Sequence, residues 1–392
     1  MILAKKIRLK PTKEQEILFW KSAGVARWSY NYFLSEQEKA YNEYLENDKQ
    51  GKSYVKESEV RKYINNVLKK TTHTWLKEVG SNVMKQGVKD ANEAYQRYLN
   101  GISRKPKYKS RHKSKPGFYV NYESLTKRQG GFHGEKIGFV KTCEALPKLP
   151  KGKKYSNPRI SFDGKYWYLS VGYEVKEKYE ELTDNKLGID VGVKVLAYCS
   201  DGTFYKNINK TKRVRQLKKR LYREQRKFSR MIEDNIETYK IIKGFRHPVF
   251  KRPLKECKNI QKQNKVINRL YKKLSDIRNN YLHQVTSEIV KTKPSQIIME
   301  TLNIKGMMKN RYLAKSIAEQ KMYEFKRQLQ YKCEMRGILF KEADKWFPSS
   351  KKCSCCGNIK NNLRLSDRIY KCNVCGLVIN RDYNASINLA NY

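Results

Sequence analysis

Acid is what this sequence is short of. Its 392 residues carry 38 Asp and Glu against 85 Lys and Arg, a formal net charge of +47. That imbalance speaks to partners, because so positive a surface repels itself and concentrates polyanions. Long apolar runs are missing as well. No stretch of about 18 apolar residues exists to cross a membrane, and MILAKKIRLK is too short and too interrupted for a signal peptide. With lipid set aside, nucleic acid is the expected polyanion and no membrane partner is expected. Histidine is scarce: His73, His112, His133, His247 and His283 stand apart, none in a paired His-Asn-His context. No internal repeat is evident either.

Nine cysteines are present, an odd number, and only Cys353, Cys356, Cys372 and Cys375 fall into pairs. The odd count without a secretion signal indicates a reducing cytosol, so the Asn384-Ala-Ser386 sequon is not a glycosylation site. Two Cys-x-x-Cys knuckles flank residues 357–371, a length suited to a two-stranded ribbon around one ion. Gly357 and Gly376 each follow a knuckle, where a tight turn favours glycine. The spacing predicts one structural Zn²⁺ held by four thiolates, closed to water and so not catalytic. Cys355 is a bystander.

Along the chain the texture changes three times. MILAKKIRL suggests a strand, and Thr12 with Gln15 gives the capping box of an aromatic-rich helix. Further helices are expected from Ser53 to about Lys70 and from Ser81 to about Leu99. The run RKPKYKSRHKSKPG reads equally as a solvated linker or a phosphate-contacting arm. FYVNYESL, KIGFVK and RISFDGKYWYLSVGYEV are strand-like, with Asp163-Gly164 at a hairpin turn. KLGIDVGVKVLAYCSDGTFY then predicts two more strands, Arg213–Arg230 a very basic helix, and residues 259–290 a long helix with a packing seam.

Three carboxylates stand out. Asp190 lies in LGIDVGVK, where alternation puts it on the face opposite Leu187, Ile189 and Val191. Glu300 closes the apolar strand QIIME, and Asp382 opens a helical pattern just after the second knuckle. Each alone has an ordinary explanation as a strand-end acid, a helix cap or a satisfied core carboxylate. Together, in so acid-poor a chain, they suggest a divalent cation, the usual reason to collect like charges. Oxygen ligands without histidines favour Mg²⁺ or Mn²⁺, and two ions about 4 Å apart would support phosphodiester hydrolysis.

LGIDVGVK, METLNIKGM, WFPSSKKCSCCG, YKCNVCG and NRDYNASINLA, in that order, resemble the TnpB proteins of insertion sequences, RNA-guided DNA nucleases similar to the ancestors of type V CRISPR effectors. IRLKPTKEQEILFWKSAGVARWSYNYFL and RKPKYKSRHKS extend the resemblance over nearly the whole chain. It implies an α/β nuclease domain joined to all-α and all-β parts. Residues 183–345 and 377–392 would be an RNase H-like RuvC domain with Asp190, Glu300 and Asp382 as its metal-binding catalytic acids. Residues 346–376 would be a zinc ribbon inserted so that Asp382 arrives beside the other two. Residues 1–10 and 116–182 would form a wedge-like β-barrel, and 11–115 a helical recognition lobe. Asn380 departs from the Asp common at that position, which is not a ligand position.

The resemblance also implies a guide RNA from the transposon end, a double-stranded DNA target beside a short adjacent motif, and a monomer with one RNA in a prokaryotic cytoplasm, near the nucleoid. Asn82, Lys85 and Gln86 suit base edges, and Arg104, Lys105, Lys107, Lys109 and Arg111 suit phosphates. Trp28, Tyr30 and Tyr32 would stack on bases or pack as helix core, the second being favoured for Trp28. The competing functions are a nuclease-inactive RNA-guided DNA-binding regulator, a DNA-strand transposase and a zinc-ribbon RNA-binding protein.

Overall fold

Alternating apolar residues in the first ten positions set up one sheet, and a second alternation near residue 190 sets up another. The computed structural model describes residues 1–111, 113–175, 180–242, 244–364 and 367–392, which divide into two compact units, Met1–Val175 and Lys176–Tyr392. His112 of the basic run and residues 176–179 near the expected end of the β-domain lie outside the described residues.

In the first unit β1 (Ile2–Lys10) joins β2 (Gly117–Tyr119), β3 (Thr126–Arg128), β4 (Gly131–Gly134), β5 (Gly138–Thr142), β6 (Ser156–Phe162) and β7 (Trp167–Glu174) in one sheet. The strand order is β2-β6-β7-β1-β5-β4-β3. This corrects the expected barrel: among the described residues the sheet is open. Its edges are three-residue strands, and β1 switches from β7 to β5 only at Leu9. A small barrel fills itself with its own side chains. Here Phe19 of α1 (Lys13–Glu46) takes that space, its ring 5.7 Å from Phe118 and 5.2 Å from Trp167.

The Thr12–Gln15 capping box starts α1 as expected. The helix expected from Ser53 shortens to α2 (Glu57–Tyr63) and one π-helical turn at Ile64–Leu68, while α3 spans Ser81–Leu99. Trp28 is partly buried, stacked 5.1 Å from Tyr32, with the His73 ring tilted against it at 4.8 Å.

In the second unit β8 (Thr183–Val191), β9 (Val195–Cys199) and β10 (Phe204–Lys206) form an antiparallel meander. After α4 (Lys212–Glu233) comes a two-stranded ribbon that the sequence did not announce, β11 (Ile236–Ile242) and β12 (Phe245–Phe250), and then α5 (Lys258–Lys291). Strand β13 (Pro294–Glu300) runs parallel to β8. Short α6 (Ile304–Met307), α7 (Ala314–Gln320) and α8 (Met322–Glu334) lead to β14 (Leu339–Ala343), parallel to β13. The sheet order is β10-β9-β8-β13-β14.

Leu187, Ile189, Val191, Ile297 and Met299 bury one face of this sheet against Leu282, Val285 and Ile289 of α5 and Phe325 and Leu329 of α8. The first half of α5 packs on α4 through Ile267, Leu270, Leu274, Val214 and Leu221. The opposite face carries Ile298, which packs with Ala343 and with Leu389 of α9 (Arg381–Ala390). Between β14 and α9 lies the cysteine-rich segment, whose strands β15 (Ile369–Lys371) and β16 (Val378–Asn380) pair antiparallel. No helix among the described residues is long and apolar enough to cross a membrane.

Candidate active site and zinc centre

Parallel pairing brings two of the three acids side by side. Met299 is registered with Ile189, so Glu300 and Asp190 follow on neighbouring strands at their carboxyl ends. Side chains alternate along a strand; with Ile189 and Met299 in the core, both acids face α9. That helix lies on β8 because residue 188 is glycine. A Cβ there would stand 2.0 Å from the Ser386 carbonyl oxygen and 2.4 Å from the Ala390 nitrogen. The approach brings Asp382, in the first turn of α9, to the other two.

The electrostatics follow from this crowding. Burial first, then the carboxylates of Asp382 and Glu300, push the Asp190 pKa up to about 8, opposed by the Arg381 guanidinium. Burial also raises that of Glu300. Arg381 Nη2 donates to Asp382 Oδ1 at 3.1 Å, and Arg368 Nη1 stands 3.8 Å from Asp382 Oδ2. The acids do not make a closed single-ion ligand set, since no choice of one oxygen from each brings all three within 4.8 Å of one another. Without a cation between them, carboxylates repel.

The four knuckle sulfurs do meet that criterion, and they form the only such group among the described residues. Cys353–Cys375 and Cys356–Cys372 have Sγ–Sγ distances of 3.5 Å. A tetrahedron with Zn–S bonds of about 2.3 Å has edges of about 3.8 Å, so the donors fit zinc. Gly357 and Gly376 adopt φ of +77° and +70°, the turns each knuckle needs. Backbone N–H groups of Cys375 and Val374 pull the Cys372 thiol down to about 6, toward the thiolate that binds metal. Cys355 is exposed and outside the cluster.

Two asparagines couple this centre to α9. Asn384 Nδ2 donates to the Lys352 carbonyl at 2.7 Å while its Oδ1 accepts from Ser354 N at 3.0 Å. One turn later Asn388 Nδ2 donates to the carbonyls of Ser349 and Lys352, at 2.8 and 2.7 Å. Both side chains are buried. Asn380 caps the helix by accepting from Asp382 N and Tyr383 N, work that Asn and Asp do equally well. The first knuckle therefore grips the helix that delivers Asp382. Sequence reasoning missed Asn384, Asn388, Arg368 and Arg381; the i, i+4 spacing of the two asparagines was the available signal.

Three family models match the chain. One described as "Helix-turn-helix domain" covers residues 1–46, one described as "Probable transposase" covers 170–244 and 245–311, and "Cas12f1-like, TNB domain" covers 323–389. A Streptomyces pristinaespiralis protein provisionally named an RNA-guided DNA endonuclease is 28% identical, over 98% of this chain and 87% of its own. Escherichia coli InsQ, named in the same provisional way, is 27% identical over 98% and 90%. The chain resembles the TnpB family along most of its length. A solved Cas12f1 complex with guide RNA and target DNA shares the fold, with a TM-score of 0.54 at 13% identity, spanning 100% of this chain and 99% of that one.

The residues expected to touch nucleic acid divide. Lys85, Arg104, Lys105, Lys107 and Arg111 are exposed, Lys105 standing 3.3 Å from Glu38. Gln86 instead donates to Asp90, which also receives Arg159 through two bonds of 2.6 and 2.8 Å. Asn82 is half-buried, lining a cavity beside Phe118 and Tyr119. Lys109 is drawn inward, its Nζ 3.5 Å from the Tyr30 ring centroid and its main chain bonded twice to Asn31, and burial lowers its pKa.

Proposed function

We propose that this chain is the RNA-guided DNA endonuclease of a transposable element, cutting double-stranded DNA beside a short adjacent motif. The observation that carries the reading is the convergence of Asp190, Glu300 and Asp382 on one sheet face at the open ends of β8 and β13, where sites in such sheets form. An oxygen-only donor set, crowded enough to raise two of its pKa values, suits hard divalent cations such as Mg²⁺ or Mn²⁺. A pair of ions about 4 Å apart spans a wider set of oxygens than one ion can, and when bound would activate water and stabilise the leaving 3′-oxygen.

The chain's own residues do the rest. Asp190 and Glu300 would hold the cation, Asp190 losing its proton to do so, and Arg381 and Arg368 orient Asp382. Those guanidiniums also suit a non-bridging phosphate oxygen. One site would cut both strands in turn. The zinc ribbon at 346–376 is scaffold, the helical residues of 11–115 recognise nucleic acid, and one RNA travels with one protein, its phosphates meeting the excess Lys and Arg.

The test is Asp190→Ala, purified with its RNA and given a plasmid bearing the sequence that RNA spells. Both strands should stay intact with the RNA retained. Cleavage of either strand sinks the single-site reading, and joining of transposon ends by the protein alone would replace it with a transposase.

A further inference from the structure

At 81% exposure, Trp346 is the most exposed large apolar side chain among the described residues. It is nevertheless held in place. Trp346 N donates to Asp344 Oδ1 at 2.7 Å, Phe347 N donates to Asp344 O at 3.1 Å, and Asp344 N bonds Tyr392 Oη at 3.1 Å. The next side chain, Phe347, packs on Ile298, Ala343 and Leu389, with its ring 4.8 Å from that of Tyr392. The turn is thus fastened to the sheet face that bears the acids.

The strand leading into it pairs with the one that ends on Glu300. Ala343 is registered with Glu300, and Thr301 Oγ1 donates to the Ala343 carbonyl at 2.6 Å. Trp346 is the third residue after Ala343, at most about 10 Å along the chain. Lys345 Nζ lies 4.7 Å from the indole centroid. A rigidly mounted, open indole beside a cation offers a face for a nucleobase and a charge for its phosphate.

We propose that Trp346 is a stacking platform for an unpaired base of the DNA strand entering the acid site, within a few nucleotides of the scissile phosphate. Lys345 meets the neighbouring phosphate. A paired base would hide its face inside the stack, so the ligand is single-stranded. The inference rests on the nuclease reading above, but its binding half is separable from it.

The full-length protein with its RNA is assayed on single-stranded DNA. Trp346→Ala should raise KM roughly 5- to 150-fold with kcat far less affected, and Trp346→Tyr should restore it. In an Asp190→Ala background, a deoxythymidine oligonucleotide of about 12 nucleotides should quench tryptophan fluorescence, and Trp346→Phe should remove that quench. An unchanged KM in the alanine variant overturns the platform, as does loss of copurifying RNA with KM unchanged, which would assign the indole to RNA. Should Asp190→Ala still cut while Trp346→Phe removes the quench, the acid site falls and the platform stands.

Discussion

A single methyl group at residue 188 tests how the third acid is delivered. In Gly188→Ala the new Cβ would stand 2.0 Å from Ser386 O, 2.4 Å from Ala390 N and 2.9 Å from the Leu389 carbonyl carbon, where ordinary contact begins at 3.4 Å. All three obstacles are main chain, so no rotamer change relieves them, and α9 must retreat by about 1 Å or more. Overpacking of this kind costs about 1–3 kcal/mol, lowering Tm by about 2–4 °C per kcal/mol for a unit of this size. The fold should survive. Activity should not, because Asp382 sits one turn upstream on the displaced helix, and a misplacement of about 1 Å costs about 100-fold. Plasmid cleavage by Gly188→Ala should therefore fall about 100-fold while zinc content and copurifying RNA stay at wild-type levels. Gly192→Ala, whose Cβ would meet only Val195 O at 3.2 Å, is the mild comparison. A wild-type cleavage rate in Gly188→Ala would show that close docking of α9 is not what assembles the acids.

Zinc should matter to cutting although no cysteine belongs to the acid site. Stripping it with a chelator should abolish cleavage even in excess Mg²⁺, with recovery on Zn²⁺ addition, and Cys355→Ser should behave as wild type; persistent activity in zinc-free protein, checked by metal analysis, would contradict the grip of the knuckle on Asn384 and Asn388. The pH response has a defined sign. Asp190 ionises near pH 8 when folded but near 4 when unfolded, so metal-free protein should lose stability as pH rises from about 4 to about 8. A bound divalent cation offsets that loss, so Mg²⁺ should raise Tm more at pH 8 than at pH 6. Asp190→Asn should flatten the trend and stabilise the metal-free protein at pH 8, measured by thermal unfolding across pH.

What could be read from the sequence was what short-range pattern encodes. The alternation Leu187-Ile189-Val191 put Asp190 on the face opposite the core, Thr12 and Gln15 gave the start of α1, and the knuckle spacing gave the four-cysteine cluster. Convergence of the acids depends on parallel pairing of β8 with β13, elements over a hundred residues apart, and on the docking of α9, neither of which has a local signature. Gly188 was visible as a glycine, but its reason, the Ser386 carbonyl, was not. Asn384 looked like an idle sequon and is a buried hydrogen-bonding side chain. The β11–β12 ribbon escaped because its strands lack a buried face and Pro248 argues against a strand. The barrel was expected from the resemblance alone, and the aromatic seat of Phe19 in the open sheet had no counterpart in the strand pattern.

The order in which the acids are encoded has a consequence for the newborn polypeptide. Asp190 emerges from the ribosome 192 residues before Asp382, an interval of about 10–40 s at ordinary elongation rates. Throughout it, the N-terminal helices have already been made, yet the proposed acid site still lacks its third carboxylate. On the nuclease reading proposed above, the gene's layout withholds a complete site during translation until α9 folds down.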